Sequence, residues 1–171
     1  MKSIGMTLLT LLLFPQPGWS KDVLLFVIQR SKNANEVHYH LRVDDRCTIV
    51  SDKPVSAVWK LLEDRSEATA PLSVFDQIAY GVVDQHVAEN WVSFSLKALE
   101  QKRLKASAKL PPGTGTCVPI VHTDIQGQVA ALERIYVQTE EGWLKPKVLY
   151  VDVFGTSVEA TPTPVRERIT P

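Results

Sequence analysis

Residues 91–110 read WVSFSLKALEQKRLKASAKL, and the fold turns on whether they form helix or strand. Lys, Glu, Ala and Leu crowd positions 97–109, and all four are good helix formers. The hydrophobic pattern disagrees. Val92, Phe94 and Leu96 alternate with Ser93, Ser95 and Lys97, and 104–110 (LKASAKL) alternates as strictly over seven residues. A period of two places successive side chains on opposite faces of a strand, whereas a helical face repeats every 3.6 residues. The period decides for strands, and Pro111-Pro112-Gly113 ends the second of them.

The same period recurs on both sides of this stretch. In 36–43 (EVHYHLRV), Val37, Tyr39, Leu41 and Val43 share one face and Glu36, His38, His40 and Arg42 the other. Before it, 24–30 (LLFVIQR) is a continuous apolar strand that turns polar at its end, and Lys32-Asn33-Ala34-Asn35 supplies a hairpin turn. Residues 47–50 read as a short strand, Asp52-Lys53-Pro54 as a turn, 55–62 as a strand carrying Trp59, and 65–71 as a polar loop. Ser73 is an N-cap for one short helix near 73–80, with Phe75, Ile78 and Ala79 on one face and Gly81 at its stop. Strands at 82–86, 118–125, 129–138 and 148–154 complete the set, with Glu141-Gly142 in the last hairpin loop. The expectation is a mainly β fold, an antiparallel meander closed as a barrel or folded as a sandwich. An outer-membrane barrel fits poorly, because several strands fall short of the roughly 9–11 residues that crossing requires.

The chain opens with Lys2, an apolar run over 4–14, the breakers Pro15, Pro17 and Gly18, and small residues at Gly18 and Ser20. That is the three-part build of a secretory signal peptide over 1–20. Its apolar run would span only about 16 Å as a helix, roughly half a hydrocarbon core, so a membrane anchor is disfavoured. No transmembrane segment is expected after its removal. A single β domain over 21–155 and an extended C-terminal tail over 156–171, with its Thr161-Pro162-Thr163-Pro164 run, should remain. Loss of Lys2 leaves 18 basic against 19 acidic residues, which gives no net attraction for nucleic acid. In a periplasmic or secreted setting the pair Cys47 and Cys117 reads as a disulfide closing about 70 residues, the alternative being two buried thiols. No Cys-x-x-Cys spacing supports a redox or zinc motif.

Five segments together carry a resemblance. They are the hairpin 29–39 (QRSKNANEVHY), Pro54-Val55 with Val58-Trp59, Phe75 with Ala79-Tyr80-Gly81, 134–138 (RIYVQ) and 151–155 (VDVFG). The chain resembles a family of small exported bacterial domains known only as a domain of unknown function. The resemblance spans most of 24–171 and implies a shared fold without implying an activity. His38 and His40 fall outside its pattern.

Candidate chemistry is sparse. His38 and His40, at i and i+2 on one strand face, with His122 from another strand beside Asp124, form a candidate metal set for hydrolysis by a metal-bound water. A solvated strand face is the simpler reading of the pair. Gln29, Arg30, Lys32, Asn33 and Asn35 form a candidate ligand-binding hairpin for a carboxylate, phosphate or sugar, although turn geometry also explains the asparagines. No G-x-S-x-G elbow occurs, Asp44-Asp45 and Glu140-Glu141 are adjacent turn carboxylates, and Gly113-x-Gly115 lacks the rest of a phosphate loop. Trp143, in a hairpin loop, is a candidate exposed contact. No cofactor is implied.

The resulting expectation is a non-catalytic binding or envelope-associated module that takes a small ligand or an envelope protein. The alternatives are a metal-assisted hydrolase using His38, His40 and His122, and a structural partner of another envelope protein docking through an edge strand. A cavity favours the first, bound metal the second, and a long unpaired edge the third.

Overall fold

The computed structural model of the chain describes residues 19–63, 67–140 and 147–170. These form β1 (Lys21–Arg30), β2 (Glu36–Val43), β3 (Val55–Lys60), β4 (Thr69–Pro71), α1 (Val74–Tyr80), β5 (Val82–Ala88), β6 (Trp91–Leu96), β7 (Leu99–Lys109), β8 (Val118–Ile125), β9 (Gln128–Glu140), β10 (Lys147–Ser157) and β11 (Pro164–Ile169). The strands run in the order β4-β3-β2-β1-β9-β8-β7-β6-β5, with β10 on β9 and β11 on β10.

The stretch 91–110 is the hairpin β6–β7, with Val92 opposite Ala106 and Phe94 opposite Leu104. Leu104, Ala106 and Ala108 are buried while Lys105 and Lys109 are exposed. Burial of one face thus overrides the helix propensity of the same residues. The interior is shared by both halves of the sheet: Tyr39 and Leu41 from β2 meet Phe94, Leu96, Leu104, Ile125 and Ile135. Phe26 stacks on Tyr39 with ring centroids 4.6 Å apart.

The sheet is neither a pure antiparallel meander nor a closed barrel. β1 lies parallel to β9, with 27–30 against 134–137. β9 serves two neighbours in succession, β8 through 128–131 and then β1 through 134–137, while β10 follows it from 130 to 140. β1 therefore lies mid-sheet, and two arms diverge from β9. β3 and β5 approach one another at the ends of these arms without backbone pairing among the described residues. Cys47 and Cys117 are disulfide-bonded, which ties the β2–β3 connection of one arm to the start of β8 in the other. The expected strand at 47–50 reduces to a single bridge between Val43 and Ile49, since Cys47 takes a left-handed backbone with φ 64° that breaks the extended run.

The segment 156–171 is extended, but it is no tail beyond a domain ending at 155. β10 continues to Ser157, and β11 pairs along it from Pro164 to Ile169. Asp152, 2 % exposed, fastens the pair by accepting from Arg166 at 2.6 Å and from Arg168 at 2.8 and 2.9 Å. The guanidinium of Arg168 lies 3.6 Å from the centre of the Tyr150 ring. Those hydrogen bonds, Arg168's first, outweigh burial and hold the Asp152 carboxyl down at about 2. Gly155 is required where β10 crosses β9, because a Cβ there would collide with the Ala131 carbonyl and the Ile125 side chain.

Candidate binding groove

The gap between the two arms is a groove of about 590 Å³, walled by β3, α1 and β5. Its construction starts with a bulge. Val83 pairs with Ser95 and His86 with Ser93, so Asp84 and Gln85 together oppose Phe94. Asp84 absorbs the extra residue with φ 53°. The bulge re-aims Gln85 at the opposite arm, where its amide acts as a surrogate peptide group. Oε1 accepts the Val55 N–H at 2.9 Å and Nε2 donates to the Val55 carbonyl at 3.0 Å. This one side chain clamps β3 to β5 at one end of the groove.

Beyond the clamp the outward edge of β3 is met by β4 and the residue that follows it. Arg42 N–H donates to the Pro54 carbonyl at 2.9 Å, which sets the phase of the β2–β3 ladder. Ser56 and Val58 then face β2, and Val55, Ala57 and Trp59 turn their peptide groups outward. Gln85 meets Val55, β4 meets Trp59, and the Val58–Pro71 pairing, in which Pro71 has no N–H to give, places the Leu72 N–H on the Ala57 carbonyl. Lys97 N–H donates to the Gly81 carbonyl at 2.9 Å, so Val83 faces β6 and Val82 turns its peptide groups away from it. Ala57 and Val82 both line the groove.

The third wall is α1. Ser73 caps it in a reciprocal capping box with Asp76, and the chain leaves the helix at Gly81, as the sequence predicts. The apolar face, however, points out. Val74, Phe75 and Ile78 are 76 %, 83 % and 64 % exposed, and Val74 and Ile78 line the groove. The helix is held by its polar side: Asp76 Oδ2 accepts from Trp59 Nε1 at 3.1 Å and from Ser73 Oγ at 2.7 Å. Burial raises the Asp76 carboxyl, but the Ser73 and Trp59 hydrogen bonds and nearby Arg30 outweigh it and leave it lowered. Trp59 packs edge-on to Tyr80, and Tyr39 Oη donates to the Tyr80 carbonyl at 2.7 Å.

The hairpin residues are occupied with one another. Gln29 Nε2 donates to Glu36 at 2.9 Å and its Oε1 accepts from Arg134 at 3.4 Å. Arg30 donates to Asn33 Oδ1 at 2.7 Å and lies 4.2 Å from the centre of the Trp59 ring. Asn35 Oδ1 accepts the N–H groups of Leu62 and Glu63 at 2.9 and 3.0 Å. Lys32 is exposed at the turn. The motif that carries the resemblance therefore builds the hairpin and seats Trp59.

His38 and His40 do share a face, with ring centroids 6.2 Å apart, but His38 Nε2 pairs with Glu36 at 2.9 Å. Burial, and next the neighbouring His38, lower the His40 pKa. His122 lies on β8, in the other arm, between Lys105 and Ala131, and does not join them. Among the described residues no three His, Cys, Asp or Glu side chains gather to hold a metal ion. Trp143 and Glu141 lie outside the described residues. Gln85 and the outward face of α1 escape sequence reading. The only hint is that α1 is a seven-residue helix, too short for its periodicity to say which face is buried.

These features define a class: a disulfide-tied, mainly β domain whose split sheet leaves an open groove between its two arms. The chain belongs to the family of the domain of unknown function DUF4833, whose profile matches residues 26–168. Neither a curated protein nor a solved structure matches it.

Proposed function

We propose that the chain is an exported, non-catalytic binding module of the cell envelope, and that its site is the β3–α1–β5 groove. The observation that carries this reading is the orientation of α1. The helix buries none of its residues, so it contributes little to the core. It holds Val74 and Ile78 open to solvent beside a cavity. Contiguous exposed apolar surface on a folded domain is characteristic of a contact site. Export is supported by the leader pattern over 1–20 and by the Cys47–Cys117 disulfide, since such bonds persist in oxidising compartments.

The test uses the exported chain with its disulfide intact, titrated with the apolar fluorophore anilinonaphthalene sulfonate. One saturable site is expected, weakened at least tenfold by Ile78→Asp with no change in melting temperature. Absence of binding, or binding indifferent to Ile78→Asp, overturns the assignment of the groove. Cell fractionation tests the location: recovery of an uncleaved chain in the cytosol overturns export.

A further inference from the structure

We infer that the outward face of β9, β10 and β11 is a second binding site, separate from the groove, at which Arg134 and Arg166 converging on Phe154 take a dianionic phosphate monoester. Ile135, Val137, Val151 and Val153 turn into the core, so Arg134, Tyr136, Asp152 and Phe154 stand on the opposite face. Strand register sets Arg134, Phe154 and Arg166 side by side across three strands, with Tyr136, Asp152 and Arg168 as the next row. The guanidinium carbons of Arg134 and Arg166 lie 3.8 and 5.4 Å from the centre of the Phe154 ring. The ring positions both cations and shields them from water on one side, but it carries no charge that would neutralise them. None of these residues lines the groove.

Charge selects the ligand. Three guanidiniums stand here against the single carboxylate of Asp152, an excess of two positive charges. Asp152 is spent on Arg166 and Arg168, which fasten β11. Arg134 has no such task. Among the described residues no carboxylate pairs with it, and its hydrogen bond to Gln29 Oε1 is a long 3.4 Å. The neighbouring acidic side chains are turned elsewhere: Glu36 accepts from Gln29 and pairs with His38, Glu133 accepts from Thr156 Oγ1, and Glu167 points inward to Lys102. Arg166 reaches Asp152 through Nη2 and is half-exposed, so the rest of its fork faces solvent. A phosphate monoester carries about −1.5 to −2 charges at pH 7 and accepts paired hydrogen bonds from arginine, so one such group answers both the excess charge and the open forks. A carboxylate, with a single charge, would leave part of the excess standing.

The experiment titrates the chain, its disulfide intact, with glycerol phosphate in a phosphate-free buffer, followed by calorimetry and by the arginine Nε–H resonances. The expected result is one saturable site that shifts the resonances of Arg134 and Arg166. Arg134→Gln should weaken it at least tenfold, and Arg134→Lys, which keeps the charge but loses the fork, about threefold. Lys105→Gln removes a cation stacked on Trp91 in the other arm and should change binding less than twofold. Ile78→Asp should leave it unchanged, so that this site and the groove stand or fall separately. Vesicles of phosphatidylcholine with and without phosphatidic acid identify the source of the monoester. Sedimentation with the acidic vesicles, lost in Arg134→Gln, places it on a lipid headgroup, and binding of glycerol phosphate alone places it on a soluble ligand. Should Arg134→Gln fail to fold, the resonance shifts of the unaltered chain decide. The inference falls if neither probe binds, if glycerol phosphate binds without moving Arg134 and Arg166, or if Lys105→Gln weakens binding as much as Arg134→Gln.

Discussion

Replacing Gln85 by Leu removes both hydrogen bonds that clamp β3 to β5 while keeping a side chain of similar size. The Val55 N–H and C=O lose partners at 2.9 and 3.0 Å, and Val55 is 4 % exposed. Leaving a buried polar group unpaired costs about 1–3 kcal/mol, and a net hydrogen bond contributes about 1. The groove is open to solvent, so water can reach one of the two groups, and the expected loss is about 2–3 kcal/mol. For a domain of this size that corresponds to a melting temperature lower by roughly 5–10 °C. Gln85→Glu provides the sharper control. Its carboxylate accepts from the Val55 N–H but repels the carbonyl, whereas the protonated acid can serve both. The folded state then favours protonation, so the carboxyl's pKa is raised on folding. By linkage, the deficit of Gln85→Glu should be largest at neutral pH and shrink as the pH falls through that raised pKa. Thermal unfolding followed by circular dichroism at pH 4 and pH 7 measures both effects. A Gln85→Leu variant within 0.5 kcal/mol of the parent would refute the clamp, and so would a Gln85→Glu deficit that does not change with pH.

The remaining expectations concern the frame around the groove. Asp152 has a depressed folded-state pKa of about 2, so it stabilises the fold above the ordinary carboxylate range. That contribution, about 2 kcal/mol, should disappear as the pH falls from about 4 to 2 and be absent from Asp152→Asn, as acid titration of the two proteins will show. Replacing Cys47 and Cys117 together by Ser releases a link between residues 70 apart and should cost up to about 4 kcal/mol in a denaturant melt. Phe75→Ser, at a position 83 % exposed, should leave stability within about 0.5 kcal/mol while reducing retention on a hydrophobic column.

Most of the strands are legible because their face alternation is strict. β2 and β7 each bury one face and expose or half-bury the other, and residue-by-residue pattern is enough to find them. What the pattern omits is neighbourhood. Nothing in 27–30 or 134–137 marks the two segments as parallel partners, because both are buried enough on each face to sit mid-sheet. The pairing of Arg166 and Arg168 with Asp152 is also invisible in one dimension, so 164–169 reads as a charged tail until its carboxylate partner is placed beside it. The placing of the histidines is hidden for the same reason: His122 shares a residue type with His38 and His40 but lies in the other arm.

The positions that break local rules are the ones that build the groove. A strand residue at positive φ and a short helix with its apolar side to solvent each lower stability taken singly, and a glutamine side chain stands in for the peptide group of a missing ladder. Together they have one geometric effect. The bulge at Asp84 re-aims Gln85 at β3, and α1 forms the third wall of the groove between the arms. If closure alone were favoured, the space between the arms would be filled by the apolar side chains of α1, and Val74 and Ile78 would be buried. The observed arrangement instead keeps Val74 and Ile78 open to solvent beside the groove, and the reason for it has to be sought in what occupies that groove.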